Sequence, residues 1–307
     1  MKRRKIIIGT RASKLAMIYA EKAKNRILES SSELSVDTVE IKKITTEGDL
    51  NLTDRLSEIG GKGLFSKKIE KELLENKINI AVHALKDMPS DETPGLITSC
   101  FLKRSDPREV LITLNNKKFK NLDENSIIGT SSYRREFQLK YKRKDLKYKL
   151  IRGNVDTRIN KLKQNLYNGI ILSYAGIKNL NFEKYASEIF ELDELIPSAG
   201  QGVIALQSKI DDIEINKILN NINDDMTANA AIAERNVLKV LEGDCETAIG
   251  VISAISQNKI SIKAELFSLD GSKRFFCSLS DTLSNHSDLG IKVGEILKKN
   301  SNGVYKK

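Results

Sequence analysis

Residues 5–13 read KIIIGTRAS and residues 127–135 read IIGTSSYRR. In each, an apolar run of buried-strand character stops at Gly-Thr and passes into a segment bearing hydroxyls and arginine. Helical patterning follows both, over 13 to about 28 in the first case and from near Tyr133 in the second. Outward from the first stretch come a second strand over 36–45, a glycine turn at Gly60, Gly61 and Gly63, a helix over about 64–75, and a third strand over 78–83. This alternation argues for a parallel sheet covered on both faces. Outward from the second stretch, a unit beginning near Pro107 has strands at 110–114, 126–129, 148–151 and 169–173, with helices starting near Tyr133 and Val155. Two related α/β lobes facing one cleft are expected, with ligands beyond the carboxyl ends of the strands.

The remainder reads differently. Residues 228–241 are helical and alanine-rich, 251–255, 260–269 and 275–279 read as short strands, and Asp270-Gly271 is a hairpin-turn signal. Lysines close a last helix over about 289–299, where they suit the negative end of its dipole. This is a small α+β third domain with Cys245 just before its first strand.

The chain of 307 residues is long enough for two or three domains, and 40% hydrophobic with 30% charged residues is the mixture of a folded protein. Tryptophan is absent, so aliphatic side chains fill most of the core. The net charge of +10 is scattered, and its densest run, 140–149, alternates with Tyr141, Leu146 and Tyr148. That favours a solvated face with general anion attraction over a nucleic-acid groove. The start lacks an apolar targeting core and no stretch reaches membrane-spanning length, so neither nucleic acid nor membrane is expected as a partner. Cys100, Cys245 and Cys277 lack metal-site spacing and an even disulfide framework, which points to a reducing, cytoplasmic compartment and no metal.

Three strand-to-helix passages carry candidate anion sites: Arg11 with Ser13; Thr130, Ser131 and Ser132 with Arg134 and Arg135; and Arg152, Gly153, Asn154, Thr157 and Arg158. Free amides at helix starts attract anions, and arginine grips a carboxylate through two nitrogens. Ordinary N-capping beside a surface arginine explains any one of these equally well. Three on matching sheet edges suggest a cleft for a ligand with several negative groups. Gly60-Gly61-Lys62-Gly63 lacks phosphate-loop spacing, so Lys62 reads as a loop cation near an anionic ligand, and Phe65 as a residue that packs the next helix. His83 has no metal-site partners and reads as structural. Asp87, near a strand's carboxyl end, could stabilise a developing cation or manage protons, though a turn aspartate fits the pattern as well. Cys245 lies in a polar loop where a thiol can form a covalent link, whereas Cys100 and Cys277 read as packed small hydrophobes.

From end to end the chain resembles the hydroxymethylbilane synthase (porphobilinogen deaminase) family. The matching stretches are GTRASKLA from Gly9, GGKGLF from Gly60, AVHALKD from Ala81, IGTSSYRR from Ile128, Arg152-Gly-Asn154 with Thr157-Arg158, PSAGQG from Pro197, and the Cys245 loop. The resemblance implies two periplasmic-binding-protein-like α/β lobes and a small C-terminal α+β domain. These divide as 1–102 with 203–220, 103–202, and 221–307. It also implies a transferase of haem biosynthesis carrying one dipyrromethane, bound through the Cys245 sulfur as a thioether. Four porphobilinogen molecules would add to this primer head to tail with loss of ammonia, and hydrolysis would release linear hydroxymethylbilane.

By the same resemblance Asp87, Lys86 and Arg11 are catalytic. Cys245, Ser13, Lys86, Asp87, Thr130, Ser131, Ser132, Arg134, Arg135, Arg152, Gly153 and Arg158 hold the cofactor, and Arg11, Lys62, Phe65, Arg152 and Arg158 hold substrate. A monomer that hands its product to uroporphyrinogen-III synthase is implied. The chain departs from the family pattern at Ala84 (often Ser), Asp156 (often Gly), Asn179 (often basic), Asp244 and Ala248. An organic-anion-binding or regulatory protein without catalysis would explain the lobes and arginines, but it gives Cys245, Asp87 and the third domain no joint role.

Overall fold

The computed structural model describes residues 4–30, 36–50, 63–243 and 247–306. The Gly60-Gly61-Lys62 turn, Asp244 and Cys245 lie outside the described residues.

The first lobe is built on β1 (Arg4–Arg11), α1 (Lys14–Glu29), β2 (Val36–Ile44), α2 (Lys67–Leu74), β3 (Ile80–Ala84) and β4 (Leu96–Phe101). The second carries β5 (Glu109–Thr113), β6 (Ile127–Gly129), α3 (Tyr133–Lys142), β7 (Lys147–Lys149), α4 (Val155–Lys163), β8 (Gly169–Ser173), α5 (Tyr174–Asn179) and β9 (Glu188–Ile189). The chain then returns to the first lobe as β10 (Ile204–Lys209) and α6 (Ile213–Ile222). The third domain is α7 (Asp225–Leu241), the antiparallel sheet β11 (Ile249–Ser256), β12 (Lys259–Phe267) and β13 (Arg274–Thr282), and α8 (His286–Ser301).

Both lobe sheets have the same plan, β2-β1-β3-β10-β4 and β7-β6-β8-β5-β9. The strands flanking β1 and β6 are parallel to them, as the alternation of elements predicts. The fourth strand in each is antiparallel, which it does not predict. The reason is topological. β5 and β10 are reached from the opposite lobe, so each enters its sheet at the cleft end and must run against the strand beside it. Apolar side chains cover both faces: α1 and α6 bury Ala20, Ala23, Ile215 and Leu219 on one side of the first sheet, and α2 buries Ile69 and Leu73 on the other.

The likeness of the two quoted stretches extends into detail. Asn79 ahead of β3 exchanges two bonds with Ile7, its Oδ1 accepting at 2.9 Å and its amide donating at 2.8 Å. Asn168 ahead of β8 does the same with Ile127, at 2.7 and 2.8 Å. A Cβ on Gly9 would stand 2.3 Å from Ile78 and one on Gly129 2.9 Å from Tyr167, the residues just before those asparagines. Glycine is therefore set at both strand ends by the close approach of the neighbouring loop.

Several element bounds shift for local reasons. α2 starts at Lys67 rather than 64 because Gly63 takes a left-handed φ of 85° and its carbonyl accepts from the Ser66 and Lys67 amides. β12 stops at Phe267 because Asp270 Oδ1 gathers the Ser268 and Ser272 hydroxyls and the Ser272 amide into a turn. α6 runs to Ile222, which is buried in the first lobe's core.

One wholly buried carboxylate joins the three parts. Glu234 of α7 accepts from Arg104 Nη1 at 2.6 Å, from the Gly200 amide at 2.7 Å, and from Ser253 N and Oγ at 2.8 Å each. Arg104 and Gly200 lie on the outgoing and returning crossings between lobes, and Ser253 on β11. Removing a partner from a buried ion pair leaves an uncompensated charge, so Glu234→Ala should cost about 3 kcal/mol. Urea unfolding followed by circular dichroism measures this, and an unchanged midpoint would contradict it.

Candidate active site

The carboxyl ends of β1 and β3 face those of β6, β7 and β8 across a cleft of about 450 Å³. Arg11 closes β1, Ser13 and Lys14 open α1, and Lys86 and Asp87 form the helical turn after β3. From the second lobe come Ser131 after β6, Arg135 from α3, Arg152 and Gly153 after β7, and Asp156 and Arg158 from the first turns of α4. Among the described residues, six cationic side chains (Arg11, Lys14, Lys86, Arg135, Arg152, Arg158) and two carboxylates (Asp87, Asp156) line it. A second groove of about 510 Å³ lies between the second lobe and the third domain. Its charges are matched within the groove, Lys263 with Asp193 and Arg274 with Glu265, so the cleft is the better ligand site.

Burial and neighbouring positive charge both act on the cations of the cleft. Burial, together with Arg135, pushes the Lys86 ammonium down to about 8, against the pull of Asp87 and Glu109. Burial with Arg135 and Arg152 pushes Arg158 down to about 10. Both shifts would be relieved by a ligand bringing negative charge. Arg11 lies over the Phe65 ring, its Cζ 3.9 Å from the centroid, and its Nη1 is 4.0 Å from Asp87 Oδ2. Phe65 is thus part of the site as well as a packing residue. Gly153 has a φ of 108° and its carbonyl accepts from Arg158 Nε at 2.8 Å, which aims that guanidinium.

Not every expected contact reaches the cleft. Arg134, Thr130 and Ser132 are absent from its lining. Arg134 is buried and donates to Glu109 Oε1 at 2.5 Å and to the Ile196 carbonyl at 2.8 Å, tying α3 to the returning crossing. Arg135 lines the cleft but also grips Glu109, through Nε at 3.0 Å and Nη2 at 2.8 Å. Burial works against the Glu109 charge, yet Arg135 and Arg134 outweigh it and hold the carboxyl down to about 2. Thr130 Oγ1 accepts from the Ser132 amide, and Ser132 Oγ from that of Arg135, so both hydroxyls shape the helix start. Ser13 caps α1 in the same way and still lines the cleft.

Sequence reasoning passed over Glu109 and Gln201. Glu109 had a signal: an acid opening an apolar strand, in a chain with adjacent arginines. Gln201, whose Oε1 accepts from Lys86 Nζ at 3.1 Å and whose amide donates to the Pro107 carbonyl at 2.7 Å, links the site to both crossings. Cys100 and Cys277 are buried, and burial pushes the Cys100 thiol up to about 12 and Cys277 up as well. Among the described residues no cluster of three His, Cys, Asp or Glu side chains could hold a metal, and no helix is long and apolar enough to cross a membrane.

Fold and cleft define a two-lobed α/β protein with a cation-lined cleft between its lobes and a small third domain. Two family models match the chain: the porphobilinogen deaminase dipyrromethane cofactor binding domain over residues 6–217, and the porphobilinogen deaminase C-terminal domain over residues 228–299. The porphobilinogen deaminase of Exiguobacterium sp. is 39% identical over 295 residues, covering 96% of this chain and 95% of that one. That of Syntrophomonas wolfei is 41% identical over 272 residues, covering 89% and 88%. A periplasmic binding protein of Salmonella typhimurium, 13% identical, superposes with a TM-score of 0.40 over 73% of this chain and 94% of that one. The chain belongs to the porphobilinogen deaminase (hydroxymethylbilane synthase) family, and is an enzyme of tetrapyrrole biosynthesis.

The Lys86 shift gives a pH dependence. A bound carboxylate raises the Lys86 pKa from about 8, so above that pH binding must take up a proton. Affinity for a pyrrole dicarboxylate should therefore fall between pH 7.5 and 9, and calorimetry in buffers of different ionisation enthalpy should show proton uptake. A flat affinity over that range would contradict the assignment.

Proposed function

We propose that this cleft joins porphobilinogen molecules head to tail on a dipyrromethane carried by Cys245, with loss of ammonia, and then releases hydroxymethylbilane by hydrolysis. The observation that carries the reading is the cluster of cations around one central carboxylate, Asp87, in a chain of this family. The residues present fit the cofactor. Each pyrrole of the series bears two carboxylates, and burial, assisted by neighbouring arginines, holds Lys86 and Arg158 below their ordinary range, a shift that bound carboxylates would oppose. When bound, dipyrromethane supplies the pyrrole carbon to which the first substrate is joined.

The chain's own residues then divide the work. Arg11, Arg152, Arg158 and Lys86, with Ser13 and Ser131, bind ring carboxylates, and Lys62, which precedes Phe65 by three residues in the sequence, is assigned to the same task. Arginine suits this because its charge persists and its two nitrogens fix the carboxylate plane. Asp87 accepts from pyrrole N–H groups and stabilises the cation that develops on the substrate as ammonia departs. Arg11, 4.0 Å away, and Lys86, next in sequence, orient that carboxylate. Arg135 borders the site while Glu109 holds it in place, and Arg134, Thr130, Ser132 and Gly153 fix the geometry of the second lobe's anion sites. Reading the chain as a cytoplasmic monomer whose linear product passes to uroporphyrinogen-III synthase completes the proposal.

Two experiments test it. Cys245→Ser should lose both product formation and a reductant-resistant pyrrole adduct on the Cys245 peptide, while Cys100→Ser and Cys277→Ser keep them. An active preparation with unmodified Cys245 would overturn the attachment. Asp87→Asn keeps the shape and removes the charge, and in single-turnover assays on primer-loaded protein it should slow ammonia loss by roughly 100-fold or more. Near-normal elimination would remove Asp87 from its central place.

A further inference from the structure

A chamber of about 50 Å³ opens off the cleft behind Asp87, where β1 and β3 end. Arg11, Phe65 and Asp87 border both spaces, and Tyr19 of α1 and His83 of β3 complete the inner one. His83 is 93% buried by its 7% exposure, and its Nε2 has no hydrogen-bond partner among the described residues. Leaving a buried ring nitrogen without a partner costs free energy that an aliphatic side chain of similar size would avoid. Burial pushes the imidazole down to about 4, with Gln207 opposing and Arg11 assisting, so the ring is neutral at neutral pH and one nitrogen carries a lone pair. Burial, and then Asp87, push the Tyr19 phenol upward, so its hydroxyl keeps its proton. The chamber therefore brings together a ring acceptor, a hydroxyl and a carboxylate.

A water needs roughly 10–15 Å³ of such space and two to four polar partners, both of which are present. We propose that the chamber is a water site, and that water held between His83 and Asp87 fixes the carboxylate, which makes His83 a positioning residue. One hydrogen of the water goes to Asp87 and the other to the bare ring nitrogen, while the oxygen accepts from Tyr19. Asp87 has need of such a restraint. Its side chain is 37% exposed, and Arg11, which itself lies against Phe65, approaches it only to 4.0 Å. The inference rests on the reading of Asp87 as the reacting carboxylate.

An atomic-resolution crystal structure of the full chain should show a water within hydrogen-bond distance of both His83 Nε2 and an Asp87 oxygen. His83→Leu should lack it and show Asp87 in more than one rotamer. In steady-state kinetics His83→Leu should lose about tenfold in kcat with KM changed by less than about twofold, because the carboxylate-binding arginines are untouched. His83→Gln, whose amide reaches the same point, should recover most of the loss. With only two histidines in the chain, imidazole ¹⁵N spectra should also report a neutral His83 ring at pH 6. A dry chamber, an unchanged kcat in His83→Leu, or a loss that follows Tm and is not restored by Gln would each overturn the proposal. The density and the spectra need no turnover. A water present in a protein that forms no hydroxymethylbilane would support the site and count against the proposed reaction, while a dry chamber in an active enzyme would do the reverse.

Discussion

Glu234 is the residue on which the arrangement of the three parts depends. It is wholly buried, and both of its oxygens are taken up by groups from the outgoing crossing, the returning crossing and the third domain's first strand. A carboxylate removed from water is tolerable only when its charge is matched and its lone pairs are filled, and here Arg104, one Gly200 amide and Ser253 do both. The same contact sets the relation of α7, and so of the chain entering the Cys245 loop, to the two crossings. A third domain packed by apolar contact alone could slide. One pinned to both crossings by the bonds that Arg104 and the Gly200 amide donate to its buried charge cannot.

A second buried acid divides the arginines by task. Glu109 opens β5 and is held by Arg134 and Arg135, so that Arg134 is spent on structure and Arg135 is shared between structure and cleft. Arg11, Lys14, Lys86, Arg152 and Arg158, with Arg135 shared, are then the cations facing the ligand space, against Asp87 and Asp156. This division leaves the cleft with more positive than negative side chains among its described residues. Burial, and then the neighbouring Arg135 and Arg152, depress the proton affinity of Arg158, a shift that a ligand's carboxylates would oppose.

Much of this could be read from the chain because periodicity and turn chemistry are local. KIIIGTRAS and IIGTSSYRR located the two matching strand-to-helix passages, and Asp270-Gly271 located the hairpin between β12 and β13. β4 and β10 were not found. LITSCF and IALQSK are short runs whose strand character comes from the sheet that receives them, and nothing local marks a strand that pairs across more than a hundred residues. Arg134 and Arg135 are adjacent and of one type, so sequence placed them together. Their separation comes from Ile196 and Glu109, partners at 62 and 25 residues' distance for Arg134. The same long-range dependence hid the role of Glu234, which reads in sequence as one charged position in an alanine-rich helix.

Two of the positions where this chain departs from its family, Asp156 and Asn179, lie where the second lobe meets α1 of the first. Asp156 meets Lys14 across the opening at 3.5 Å, and Asn179 Oδ1 accepts from Lys22 Nζ, so α1 of the first lobe touches α4 and α5 of the second. Lys14 is 80% exposed, and an ion pair so solvated contributes little. At the back, by contrast, the crossings are bound by buried charge at Glu234 and by backbone bonds such as Leu102 N to Ile204 O and Ser105 N to Gly202 O. The strength of attachment is therefore unequal around the cleft, firm along the crossings and weak at the rim.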